Sequence, residues 1–189
     1  MLAGGRSIRF GRDKLAEPYR GIPLLHHAVL RLAEVCDEVV VVLAPGADPA
    51  GLPPGVLTAH DPTEGQGPLA GLQAGLMSAA LSDWAVVAGG DMPDLQPSVL
   101  REMLRIAAAS GADAVVLEDG GRARPLPCVL RPAPAADIAH ALLHAGRRRL
   151  RDVLSSLPAV VIEEAAWTAL DPERRTLLDI DEPADLGGN

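Results

Sequence analysis

The sequence predicts an α/β protein, an open and mostly parallel (mixed) sheet with helices on both faces. Three observations carry this prediction. Short Val-rich runs bounded by Gly and Pro alternate with stretches of helical period, the pattern of parallel strands crossed over by helices. Continuous runs such as Val39-Val40-Val41-Val42 call for burial on both faces. Pro23, Pro68 and Pro97 each stand just ahead of an apolar-periodic stretch, where a first helical turn loses nothing by a missing N–H.

Residues 1–3 read as the stub of a strand ahead of a glycine-rich loop. A helix opening at Pro23 gathers Leu24, Leu25, Ala28, Val29 and Leu32 on one face. Strands follow at 38–43 and 55–58, then a helix from Pro68 with Leu69, Leu72 and Leu76, a strand at 84–88, and a helix from Pro97 with Leu100, Met103, Leu104 and Ala107. A strand at 112–117 leads into 118–124, where Asp119-Gly120-Gly121 reads as a hairpin turn or a mobile loop. The remainder reads as a strand at 127–131, helices at 135–144 and 148–154, strands at 159–163 and 176–180, and a short helix from Pro183. With no repeat and no long linker, residues 1–189 are expected to form one domain.

Composition excludes several partners. Seventeen basic residues face 25 acidic ones, a net charge of −8, which argues against phosphate-neutralising contact with nucleic acid. Four aromatics, Phe10, Tyr19, Trp84 and Trp167, make no base-stacking platform. The longest apolar run, 74–90, is broken by Ser82 and Asp83 and falls short of the roughly 20 residues a membrane span needs. Cys36 and Cys128 form no CxxC, and with no signal peptide ahead of the first motif a reducing, cytosolic setting is expected.

In folds of this class ligands bind beyond the carboxyl ends of the strands. The segment 2–14 is a glycine-rich loop that ends in Lys14, the only Lys beside 16 Arg. Its glycines let backbone approach a base or phosphate, and Ser7, Arg9 and Arg12 add donors for a triphosphate. The bland alternative is a surface turn with solvated arginines. At the end of the 84–88 strand, Gly89-Gly90-Asp91 offers a carboxylate where a Mg²⁺ ligand belongs, since that ion needs only one or two carboxylates with phosphates and water. Asp91 could instead close a turn or cap the helix near Pro97. Asp179 and Asp181 alternate to one side of an extended segment, and either could be a second metal ligand. Equally, Asp181 could only cap the helix at Pro183. Asp61 opens a polar loop before the Pro68 helix and could accept from a base or ribose. The cluster Arg147, Arg148, Arg149 and Arg151 reads as an oxyanion receiver or a solvated helix start. His140 and His144 have zinc-pair spacing but lack a third ligand.

Taken together, LAGGRSIRFGRDK at 2–14, GPLAGL at 67–72, GDMP at 90–93 and DIDEPADL at 179–186 resemble the molybdenum cofactor guanylyltransferases, MobA-like nucleotidyltransferases with a Rossmann-like fold. RPLPCVLR at 124–131 and GRRRLRDVL at 146–154 look like that family's pterin-facing region. The resemblance implies transfer of GMP from GTP to the molybdenum-carrying molybdopterin with release of pyrophosphate. It implies Mg²⁺ as cofactor and other proteins of that cofactor's biosynthesis as partners. By the same resemblance Leu2, Ala3 and Gly4 hold guanine and ribose through backbone, Lys14 holds the phosphates, Asp61 the nucleotide, and Asp91 both nucleotide and metal; Asp181 is taken as the second metal ligand from its place in the extended segment, not from the resemblance. The family commonly carries Asn where this chain has Asp179 and Asp181. That leaves open CTP with the pterin or a nucleotide with a sugar or polyol phosphate; family members also usually carry several apolar residues before the LAGG segment to complete a central strand, and the single Met1 ahead of Leu2 here leaves open a non-catalytic nucleotide-binding module.

Overall fold

A computed structural model describes residues 1–4, 13–47, 51–61 and 67–187. A single 3₁₀ turn, Lys14–Ala16, leads into a two-residue hairpin of β1 (Pro18–Tyr19) and β2 (Ile22–Pro23), followed by α1 (Leu24–Ala33). Then come β3 (Val40–Leu43), β4 (Leu57–His60), α2 (Pro68–Ser78), β5 (Ala85–Val87) and α3 (Pro97–Ser110). The second half is β6 (Ala114–Asp119), β7 (Arg122–Leu130), α4 (Pro132–His144), α5 (Leu150–Leu154), β8 (Ala159–Ile162) and α6 (Glu164–Thr168), closing with 3₁₀ turns at Arg175–Leu177 and Pro183–Gly187.

The sheet is mixed. β3 and β4 pair in parallel, β7 runs antiparallel between β5 and β6, and β8 lies parallel to β6. Residues 1–3 join these two groups: Leu2 bridges Val42 on one side and Gly89 on the other, both in parallel. The order across the molecule is therefore β4, β3, residues 1–3, β5, β7, β6, β8. The stub is paired as far as the Ala3 N–H. Leu2 N–H donates to Ala88, Gly90 N–H to Leu2, Ala3 N–H to Val42 and Val42 N–H to Met1. The terminal amine of Met1 donates to the Val40 carbonyl at 2.7 Å. Below Met1, between the amino ends of β3 and β5, lies a cavity of about 510 Å³ lined by Val40, Val42, Leu72, Leu76, Trp84 and Val86 among others.

Both faces are buried because successive strand residues alternate between two cores. Val115, Leu117 and Val129 face the core formed with α1 and α3, through Leu25, Val29, Leu100 and Met103. Ala114, Val116, Cys128 and Leu130 face the core formed with α2, α4 and α5, through Leu69, Leu72, Ala135 and Val153.

Several boundaries differ from the sequence expectation. α1 starts at Leu24, because Pro23 is held in the hairpin and serves as the helix cap. β4 lies two residues later than expected, set by its register of Val40 with Leu57. α4 opens at Pro132, using its prolines in the first turn. Residues 176–180 form no strand. Asp171 captures the Thr176 N–H, the chain turns, and Ile180 N–H bonds to Asp91 O instead of to a sheet edge. Residues 118–124 are the end of a hairpin, with Gly120 and Gly121 at positive φ in its turn. Glu164 accepts the Gly120 N–H and pairs with Arg174, which also pairs with Asp119, so the tip is tied down.

Candidate functional site

Asp91 follows β5 at the carboxyl edge of the sheet, placed there by the pairing of Ala88 and Gly90 with Leu2. Lys14 reaches it from the 3₁₀ turn, whose start is capped by Asp13 accepting the Leu15 N–H. Lys14 Nζ donates to Asp91 Oδ2 at 2.8 Å and to the Ile180 carbonyl at 2.8 Å, and lies 3.5 Å from Asp181 Oδ1. Its side chain is 15% exposed, that of Asp91 29%. One ammonium thus draws together three distant segments of chain. The Asp91 carboxylate is also crowded from behind: a Cβ on Gly89 would lie 2.3 Å from Asp91 Oδ1.

Asp179 belongs to the same acidic group. Burial and the neighbouring Asp91 carboxylate push its carboxyl up to about 6, with Arg124 opposing. Arg124 lies 3.6 Å from Asp179 and 3.6 Å from Asp119, and its buried Nε has no partner. Beside it opens a cavity of about 530 Å³ to which Arg122, Arg124 and Arg151 contribute. The arginine cluster read from the sequence is therefore divided. Arg147 pairs with Asp152 and holds that carboxyl below its usual range; Arg148 donates to the carbonyls of Leu143 and Arg147; only Arg151 lines the cavity.

The other expected residues fall along the same edge. The N–H and C=O of Leu2 and the N–H of Ala3 are bonded within the sheet, leaving the Ala3 carbonyl and the Gly4 backbone at its carboxyl end. Asp61 follows β4, its N–H held by the Leu43 carbonyl. It is three strand positions from Asp91, roughly 14 Å at ~4.8 Å per strand, a span suited to a nucleotide lying across residues 2–4. Ser7, Arg9 and Arg12 lie outside the described residues.

Among the described residues no three His, Cys, Asp or Glu side chains form a ready-made metal cage. His140 packs edge-on against His144 and meets Gln73 Nε2 at 3.0 Å, a packing arrangement. Cys128 is buried, which pushes its thiol up to about 12 and leaves it inert. Sequence reasoning missed Arg20 and Asp94, an ion pair at 2.9 Å beside Lys14 and Asp91. It also missed Arg122, which shares the cavity with Arg124 of its own strand and with Arg151 of α5. The only local signal was the Arg20-Gly21 turn.

Comparison with known proteins gives the family and the fold. A family model described as a MobA-like NTP transferase domain matches residues 1–160. A probable molybdenum cofactor guanylyltransferase of Mycobacterium avium is 33% identical over 190 residues, 98% of this chain and 91% of that protein. One of Natronomonas pharaonis is 34% identical over 195 residues, covering 98% and 93%. A molybdenum cofactor guanylyltransferase of Pseudomonas aeruginosa is 33% identical over 167 residues, covering 88% and 83%. Among solved structures, molybdopterin-guanine dinucleotide biosynthesis protein A of Archaeoglobus fulgidus superposes with a TM-score of 0.78 at 22% identity, covering 98% and 92%. The 2-C-methyl-D-erythritol 4-phosphate cytidylyltransferase of Thermus thermophilus superposes at 0.68 with 20% identity, covering 98% and 93%. At these identities the structures speak for the fold, which is Rossmann-like.

Proposed function

This chain belongs to the MobA-like NTP transferases, as a member of the molybdenum cofactor guanylyltransferase family, and we propose that over residues 1–189 it transfers GMP from GTP to the terminal phosphate of molybdenum-carrying molybdopterin. The observation that carries the reading is the convergence of Lys14 with Asp91 and Asp181 at the sheet edge, with an arginine-lined cavity adjoining. The acceptor phosphate oxygen attacks the α-phosphorus, one P–O bond forms, the α–β bridging bond breaks and pyrophosphate leaves. The substrate itself is the nucleophile, so the protein's task is to align two polyanions and stabilise growing charge.

The residues divide that task. Gly4 and the Ala3 carbonyl face the base and ribose from the sheet edge, and Asp61 takes the far end of the nucleoside. Leu2 contributes as the strand that sets this edge, since its backbone is bonded on both sides. Lys14 offers a compact positive charge that its partners aim and that the phosphates would share. Arg122, Arg124 and Arg151 would receive the acceptor's anionic group.

The donor set fits Mg²⁺. Asp91 Oδ1 and Asp181 Oδ2 accept no hydrogen bond from a described residue, and Asp179, its carboxyl raised chiefly by burial, stands beside them as a third acid. Asp91 and Asp181 would hold the ion, which is hard, oxygen-seeking and satisfied by two carboxylates plus phosphates. When bound it supplies positive charge opposite the α-phosphate and the leaving group.

No helix among the described residues is long and apolar enough to cross a membrane, and we place the reaction in the cytosol, beside the proteins that make and hand on the pterin. Pyrophosphate release tests the reading. With the molybdenum-carrying pterin, GTP is expected to react and Asp91→Asn to abolish turnover. Turnover with CTP or ATP but not GTP would overturn it.

A further inference from the structure

A second ion pair runs beside the one between Lys14 and Asp91. Six residues after Lys14, Arg20 Nη1 donates to Asp94 Oδ1 at 2.9 Å, and Asp94 stands three residues after Asp91. Asp94 is 4% exposed, one of three buried polar or charged residues recorded among the described ones. Its partner occupies costly backbone. Arg20 and Gly21 join β1 to β2 with φ of +46° and +89°, the sign pattern of a tight hairpin turn that suits Asn-Gly and not a long side chain on Cβ. Strained residues persist where their surroundings over-determine them. Here the guanidinium lies 4.7 Å over the Tyr19 ring while paired with Asp94. Tyr19 is buried with Leu24 and Ile180, and Ile180 accepts from Lys14 through its carbonyl and donates to Asp91 through its N–H.

We infer that Arg20 and Asp94 are positioning residues: their ion pair clasps the hairpin after Lys14 to the loop after Asp91 and keeps that ammonium and carboxylate in register. Both act through Lys14 and Asp91. The catalytic consequence rests on the proposed transferase reading; the clasp itself does not.

Lys14 is the only lysine, so a small acylating reagent such as acetic anhydride reports on one side chain, with the Met1 amine separated by peptide mapping. The double variant R20N/D94N removes both charges and puts Asn, which tolerates left-handed backbone, in the turn. Its Tm is expected to stay within about 3 °C of the parent, because no buried charge is left unpaired. Lys14 acylation is expected to rise about fivefold or more as the loop opens locally. In pyrophosphate release, kcat is expected to fall about tenfold or more, with the KM for GTP moving less than about threefold. An unchanged acylation rate overturns the clasp, and so does a double variant that fails to fold, which would make the pair a folding contact. A parent inactive with every nucleotide defeats the transferase reading, yet acylation still decides the clasp because it needs no substrate.

Discussion

Lys14 meets two carboxylates and a carbonyl through one nitrogen, a three-way contact that a planar guanidinium of greater reach does not reproduce. Lys14→Arg keeps the charge and should still lower kcat for pyrophosphate release by about 10²–10³, the usual cost of losing one well-placed donor. Activity within a few-fold of the parent would show that charge alone suffices. Gly89→Ala probes the opposite partner. The new methyl claims space within 2.3 Å of Asp91 Oδ1, and the terminal carboxylate yields more readily than the backbone. A loss of about 10²-fold in kcat is expected with little change in Tm, since misplacing a reacting group by ~1 Å suffices. A large fall in Tm with the remaining activity intact would contradict this. Lys14 was legible in the sequence as the only Lys, standing at the end of a glycine-rich loop, and Asp91 as a carboxylate beside two glycines at a strand end. Arg20 and Asp94 were not, because their pairing spans 74 residues and the Arg20-Gly21 turn alone gave a local sign of it. The backbone role read for Leu2 narrows for a related reason: only the fold reveals that its N–H and C=O are taken by neighbouring strands.

At the scale of elements, periodicity located what packing dictates and missed what partners dictate. The Val-rich strands and the apolar faces of α1, α2 and α3 could be read directly, since burial on both faces writes itself into residue type. Residues 176–180 carry a strand-like alternation that goes unused because Asp171 and Asp91 take their backbone. The β1–β2 pair is too short to show any period at all. The β6–β7 hairpin shows how an element makes a site. Its two-glycine turn, tied by Glu164 and Arg174, fixes Arg122 and Arg124 at the mouth of the cavity that α5 completes with Arg151. Each charge-assisted bond to an anion is worth about 1.5–3 kcal/mol, so Arg122→Ala and Arg151→Ala should each raise the KM for the pterin acceptor by about 10–100-fold. The KM for GTP should stay close to that of the parent. Equal changes for both substrates would assign the cavity to the nucleotide instead.

At the scale of the whole molecule, the middle of the sheet holds a titratable group whose charged form burial disfavours. In the 189-residue chain, whose first residue is Met1, the amine of that residue lies between β3 and β5, bonded to Val40 O, and burial lowers its pKa from 8.0 to about 6. Between those values the unfolded chain binds the proton and the folded one does not, so stability must rise with pH across this window. It is fully gained above about pH 8 and lost as pH falls to about 6. Two units correspond to roughly 3 kcal/mol, or a Tm difference of about 6–12 °C for a chain of this size. Asp179 also titrates near 6, but a raised acid acts with the opposite sign and mainly below that pH, so it cannot imitate the effect between 7 and 8. Acetylating the amine isolates the cause. An acetyl group removes the titration, leaves an N–H to bond Val40, and has the cavity of about 510 Å³ to enter. Thermal melts from pH 6 to pH 8 should therefore slope upward for the free amine and lie flatter for the acetylated chain. The same slope in both would place the titrating group elsewhere in the fold.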